Sequence, residues 1–176
     1  MVDGVILLEA TNLNAGVRPE LGSQSSPMQP AFLSSYSRPM GPMVINDAVL
    51  ELGIPCTVVN YTDFWQTESL MDFIGSWLDK NNVTEGVFAI SSLFSIEMAL
   101  ESGSRIQTLV ERLRQVYPTF KIVAGGPALG YAMRPTEIWL PDAVFSSHNS
   151  VGLFQDYLLG KDIPTECINV HDNGVP

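Results

Sequence analysis

Apolar residues in this chain come in two forms, short unbroken blocks and longer stretches that repeat at helical spacing. The blocks predict strands: Val5-Ile6-Leu7-Leu8, Thr57-Val58-Val59-Asn60, Gly86-Val87-Phe88-Ala89-Ile90, Lys121-Ile122-Val123-Ala124 and Ala143-Val144-Phe145. Runs with so little polar alternation suit strands covered on both faces. Helical patterns lie between them. Gly41-Pro42 opens the first, with Val44, Ala48, Val49 and Leu52 as its buried stripe and Gly53 as its stop. Thr67 is the expected cap of the second, whose apolar positions are Leu70, Ile74, Trp77 and Leu78. Ile106, Leu109, Val110, Leu113 and Val116 mark one face of the third, closed by Pro118. Ser150 caps the last helix, from Val151 to Leu159, and Gly160 ends it. Strands alternate with helices and no hairpin signal intervenes. The predicted fold is α/β: an open, doubly wound, parallel five-stranded sheet joined by right-handed crossovers. Residues 1–160 form the expected domain. Residues 161–176, with Pro164, Asn173, Gly174 and Pro176, read as a linker or tail.

Composition narrows the function. The 176 residues suffice for one domain with a sizeable core, and 45% hydrophobic against 16% charged content is that of a globular chain. Nineteen acidic against nine basic side chains give a formal charge of −10, which repels phosphate backbones and anionic membranes. No nucleic-acid partner is expected, and Arg105, Arg112 and Arg114 read as a solvated helix face. Cys56 and Cys167 match no zinc spacing and no redox pair, and two cysteines do not hold a four-cysteine iron–sulfur cluster. Two free thiols in a reducing cytosol is the simpler reading. No window approaches the roughly 20 apolar residues of a membrane span, so no membrane partner and a cytoplasmic location are expected.

Candidate chemistry sits at the carboxyl ends of the strands, where open α/β sheets bind ligands. Lys121-Ile122-Val123-Ala124-Gly125-Gly126-Pro127 ends a buried strand in bare backbone. Two readings stand for it: a tight left-handed turn, or a shelf on which something broad and flat lies against the chain. Ser91-Ser92 ends the third strand, either as local polar caps or as ligand donors. After the first strand, a long polar segment from Thr11 to Arg38 is of a length that is functional or disordered. A phosphoacceptor site needs clustered acids there, and Glu9 stands nearly alone. A nicotinamide site needs G-x-G-x-x-G, and Gly16 and Gly22 are wrongly spaced. Nor does Thr11-Asn12-Leu13-Asn14 supply a compact phosphate loop of the flavodoxin type. No nucleophile–base pair stands out.

The ordered series of strand ends resembles the cobalamin-binding domain found at the N-terminus of B12-dependent radical SAM enzymes. Arg38-Pro39-Met40-Gly41, Leu52-Gly53-Ile54-Pro55-Cys56-Thr57-Val58-Val59-Asn60 and Phe88-Ala89-Ile90-Ser91-Ser92-Leu93-Phe94-Ser95 carry the likeness. So do Tyr117 through Pro127 and Pro141-Asp142-Ala143-Val144-Phe145. The resemblance implies a Rossmann-like or flavodoxin-like B12-binding fold, with the corrin over the sheet's carboxyl edge and the nucleotide tail between sheet and helix. It implies that Asn12, Leu13 and Asn14 touch the lower corrin face. The Ser91 and Ser92 hydroxyls would hydrogen-bond the tail, Gly125 and Gly126 would give its ring system room, and Phe94 and Pro127 count among the expected cofactor-binding residues. Ser147, His148, Asn149 and Ser150 would meet the corrin edge, with Arg38 available to a cofactor phosphate, to Glu9 or to Glu20. The Asp-x-His-x-x-Gly loop that supplies a lower cobalt ligand in many cobalamin modules is missing, since His148 is the first histidine in the chain. No protein histidine is therefore expected as lower axial ligand. Where the family usually reads Gly-Glu-Gly-Glu, this chain has Ser147-His148-Asn149-Ser150. The Cys-x-x-x-Cys-x-x-Cys motif is also missing, so an iron–sulfur cluster and SAM would belong to a radical SAM domain or separate chain as partner.

The expected function is thus a cobalamin-binding module serving a radical SAM partner, in methyl transfer or radical rearrangement. A module without cofactor, acting in protein–protein contact, is the alternative from a different class. An open sheet gripping some other nucleotide-like ligand is a third.

Overall fold

The computed structural model describes residues 2–10, 40–59, 65–92, 105–125, 141–145 and 150–163. Along the chain these form β1 (Gly4–Ala10), α1 (Met40–Leu50), β2 (Cys56–Val59), α2 (Thr67–Asn81), β3 (Gly86–Ser92), α3 (Arg105–Val116), β4 (Lys121–Gly125), β5 (Ala143–Phe145) and α4 (Ser150–Leu158). The five strands pair in the order β2-β1-β3-β4-β5, and each of the four pairings is parallel. This is the flavodoxin-like order of the doubly wound folds, and the winding reverses between β1 and β3. The fold class read from the sequence is the one found.

Alternation along the strands divides the core into two layers. Ile6, Leu8, Phe88, Ile90, Ile122 and Val144 pack with Leu70, Ile74 and Leu78 of α2 and with Leu109, Val110 and Leu113 of α3. On the other face Val5, Leu7, Val87, Ala89, Val123 and Phe145 meet Val49 of α1 and Phe154 and Leu158 of α4. Gln155 Nε2 donates to the Ala48 carbonyl at 2.8 Å, which ties α4 to α1 over that second face. Phe88, Tyr117 and Phe120 form an aromatic cluster under the first, with ring centroids 5.2–5.6 Å apart.

Several local expectations change. Val44 is 50% exposed, because the stripe facing the sheet runs through Ile45, Val49 and Leu52 instead. Val116 is 43% exposed, and Tyr117 takes its place against the core. Thr67 and Ser150 are each the first residue of their helix and not the residue before it. Gln66 caps α2 without a side-chain bond. The left-handed stops at Gly53 (φ +75°) and Gly160 (φ +68°) stand as expected. β3 ends at the serine pair as expected, with Ser91 and Ser92 opposite Glu9 and Ala10 of β1.

The chain just before β5 is held by Asp142, which sits beside β4. Its carboxylate accepts from the Ile122 amide at 2.7 Å, and its own amide donates to the Ile122 carbonyl at 2.6 Å. No helix among the described residues is long and apolar enough to cross a membrane.

Candidate functional site

The carboxyl ends of four strands line up in one row. Glu9 of β1 is in register with Ser91 of β3, Ser91 with Gly125 of β4, and Gly125 with Phe145 of β5. Partners in a parallel sheet share a face, so the row stands on the α1/α4 side, one layer above Leu7, Ala89 and Val123. Ser91, Gly125 and Phe145 line a cavity of about 50 Å³ whose floor is Leu7, Ala89 and Val123 and whose outer wall is Ile45 and Phe154. Its lining is almost wholly apolar, with the Ser91 hydroxyl as a polar exception. The cavity lies beside the β1/β3 position where the winding reverses, the usual ligand position in such sheets.

Gly125 makes a notch in this row. Its φ is not left-handed; Gly53 and Gly160 are the glycines with that conformation among the described residues. A Cβ added to Gly125 would meet the Phe145 carbonyl oxygen at 3.6 Å and the Phe145 Cβ at 3.8 Å, both ordinary contacts. Neither backbone conformation nor packing of the described residues demands glycine here. The left-handed-turn reading therefore does not apply at this position.

Glu9 closes the other end of the row. It is 1% exposed, and burial pushes its carboxyl up to about 7 from an ordinary 4.5. Desolvation disfavours the charged form, so near neutral pH both forms are populated. In the sequence Glu9 figured only as a lone acid and a pairing partner for Arg38. The signal that marks it is an acid directly after four apolar strand residues, at a carboxyl end.

Of the residues singled out from the sequence, Ser91 and Gly125 come together in the cavity wall. Ser92 is in β3 opposite Ala10, with its side chain outside the description. Asn12, Leu13, Asn14, Arg38, Phe94, Gly126, Pro127, Ser147, His148 and Asn149 all lie outside the described residues. Among those described, no three His, Cys, Asp or Glu side chains gather as a metal site. Cys56 is a free thiol that burial raises to about 12, so it stays protonated and unreactive at neutral pH.

Comparison of the chain with protein-family models, with curated proteins and with solved structures finds no match.

Proposed function

We propose that the chain is a cobalamin-binding module whose crevice opens at the carboxyl ends of β1, β3, β4 and β5 and serves a separate radical SAM domain or chain. The observation that carries this reading is the Gly125 notch, a glycine that the described fold does not need, set in the wall of an apolar cavity near the winding reversal. An absent Cβ at that position leaves room for the edge of a flat group. The floor of Leu7, Ala89 and Val123 would bury its apolar face, and the Ser91 hydroxyl would accept or donate one hydrogen bond to it. Cobalamin supplies cobalt–carbon bond chemistry when bound. This chain's own residues would hold it, orient it and keep water from one of its sides.

The test is a titration with hydroxocobalamin followed by desalting and an absorption spectrum. Stoichiometric retention is expected in the native chain. Gly125→Val should weaken it about tenfold or more with the melting temperature unchanged; equal binding by the variant removes the notch from the reading.

A cofactor-free module for protein–protein contact is the second reading. The small volume of the cavity, about 50 Å³, and the formal charge of −10 favour it. Complete loss of corrin on desalting, from native chain and variant alike, would decide for it.

A further inference from the structure

The four helices differ in what they show to solvent. Of the large apolar side chains exposed among the described residues, α2 and α4 carry none and α3 has one, Val116 at its end. α1 carries two within its single short length, Val44 and Leu50, each about half exposed. Both stand off the stripe that packs on the sheet, which runs through Ile45, Val49 and Leu52. Asp47 and Glu51, also exposed, lie beside them at helical spacing. A helix that is apolar on a second side has more to bury than the sheet covers.

The carboxyl end of α1 is also the exception in charge. A helix presents partial negative charge at that end and is stabilised there by cations. α2 has Lys80 in its last turn and α3 has Arg114. α4 is followed by Lys161, which pairs with Asp156 at 2.6 Å. α1 has no basic residue in its last turn. Asp47 stands there instead, and Glu51 prolongs the turn, its amide donating to the Asp47 carbonyl at 3.0 Å. Among the described residues neither carboxylate makes an ion pair. Two acids and the negative end of a helix thus face outward next to two aliphatic side chains. Cations set beside aliphatic groups complement such a face. A second copy of the chain would bring another −10, so like charge opposes self-association through it.

We infer that the outward face of α1 is a docking surface for a basic amphipathic helix of a partner protein. The aliphatic positions of that helix lie on Val44 and Leu50, ridge against ridge. Its Lys or Arg side chains reach Asp47, Glu51 and the carboxyl end of α1. The inference stands apart from the cobalamin reading, since a module with cofactor and one without both need a surface for a partner.

The experiment measures fluorescence anisotropy of a labelled helical peptide of about 18 residues, with Leu along one face and Arg on its flanks, against the full chain. Binding is expected at low salt and should weaken as salt screens the charges. Asp47→Asn with Glu51→Gln should weaken it about tenfold, whereas Asp72→Asn with Asp79→Asn, which takes the same charge from α2, should cost about twofold or less. Val44→Ala with Leu50→Ala should also weaken it about tenfold, with the melting temperature unchanged. Equal losses from the two charge pairs would reduce the effect to net charge and overturn the inference. So would full binding by the Val44→Ala, Leu50→Ala variant. A clear drop in that variant's melting temperature would mean that the chain's own residues cover the face, and a native dimer that the variant abolishes would assign it to a second copy; either result overturns the inference. Failure of the native chain to bind the peptide overturns it as well, and the outcome of the hydroxocobalamin titration is unaffected.

Discussion

Gly4 and Gly86 stand where β1 and β3 begin, and Gly125 stands where β4 finishes. A Cβ on Gly4 would fall 2.5 Å from Val83 Cγ2, and one on Gly86 would fall 2.5 Å from Phe120 Cε2. Both neighbours are buried, so these glycines are enforced by close packing. The same end of the sheet is tied by polar groups. The Asp3 carboxylate accepts from the Thr84 amide and hydroxyl and from the Glu85 amide at 2.9–3.2 Å. Partial burial works against the charge, yet these donors hold the Asp3 carboxyl below its ordinary 3.8. At the opposite end a glycine stands without a packing reason among the described residues, a carboxyl is raised instead of lowered, and a cavity lies between them. The amino ends of the strands are thus arranged for stability, and the carboxyl ends are arranged in ways that stability does not require.

The largest effect expected from this contrast is at Gly86. Gly86→Ala drives a methyl into the Phe120 ring, which is stacked on Phe88, and should cost about 1–3 kcal/mol in chemical denaturation. A variant as stable as the native chain would mean that the aromatic cluster gives way, and the contrast would lose one side.

Of the same order is a pH effect at Glu9. Its carboxyl is raised in the folded state, so folding favours the protonated form. That contribution is complete below the ordinary 4.5 and is lost as pH rises to about 7. Melting temperature should fall by roughly 4–12 °C over that interval, the response to about 2–3 kcal/mol in a chain of this size. Glu9→Gln should remove that component of the pH profile.

The smallest effect, with the opposite sign to Gly86, is at Gly125. Gly125→Ala should leave stability unchanged or raise it by up to about 0.5–1 kcal/mol, because alanine gives up less chain entropy in a strand. A loss as large as that of Gly86→Ala would show that the notch is structural after all.

Much of the architecture was legible in the sequence because doubly covered parallel strands announce themselves as unbroken apolar blocks. Val5–Leu8 and Lys121–Ala124 needed nothing more. That same lack of alternation concealed which face each residue serves, and with it the sharing of one face by Ser91 and Gly125. Strand order concealed the rest. No local pattern sets Glu9 beside Ser91; that neighbourhood comes from the pairing of β1 with β3. Helix stripes were legible to within one position. Val44 and Val116 missed because an apolar residue at the margin of a stripe looks the same in sequence whether the sheet reaches it or not. Most of the candidate site residues fall after the strand ends, outside the described residues.

The position of β1 also bears on how the chain is made. It lies inside the sheet between β2 and β3, yet it leaves the ribosome before either. Its partner on one side is complete only after residue 59, and on the other only after residue 92. Until then Val5-Ile6-Leu7-Leu8 is an unpaired apolar strand with two open edges, the kind of segment on which nascent chains stick to one another. Closing contacts this far apart in sequence is slow compared with forming the helices. A chaperone that waits on this protein during synthesis would find its binding site at Val5-Ile6-Leu7-Leu8.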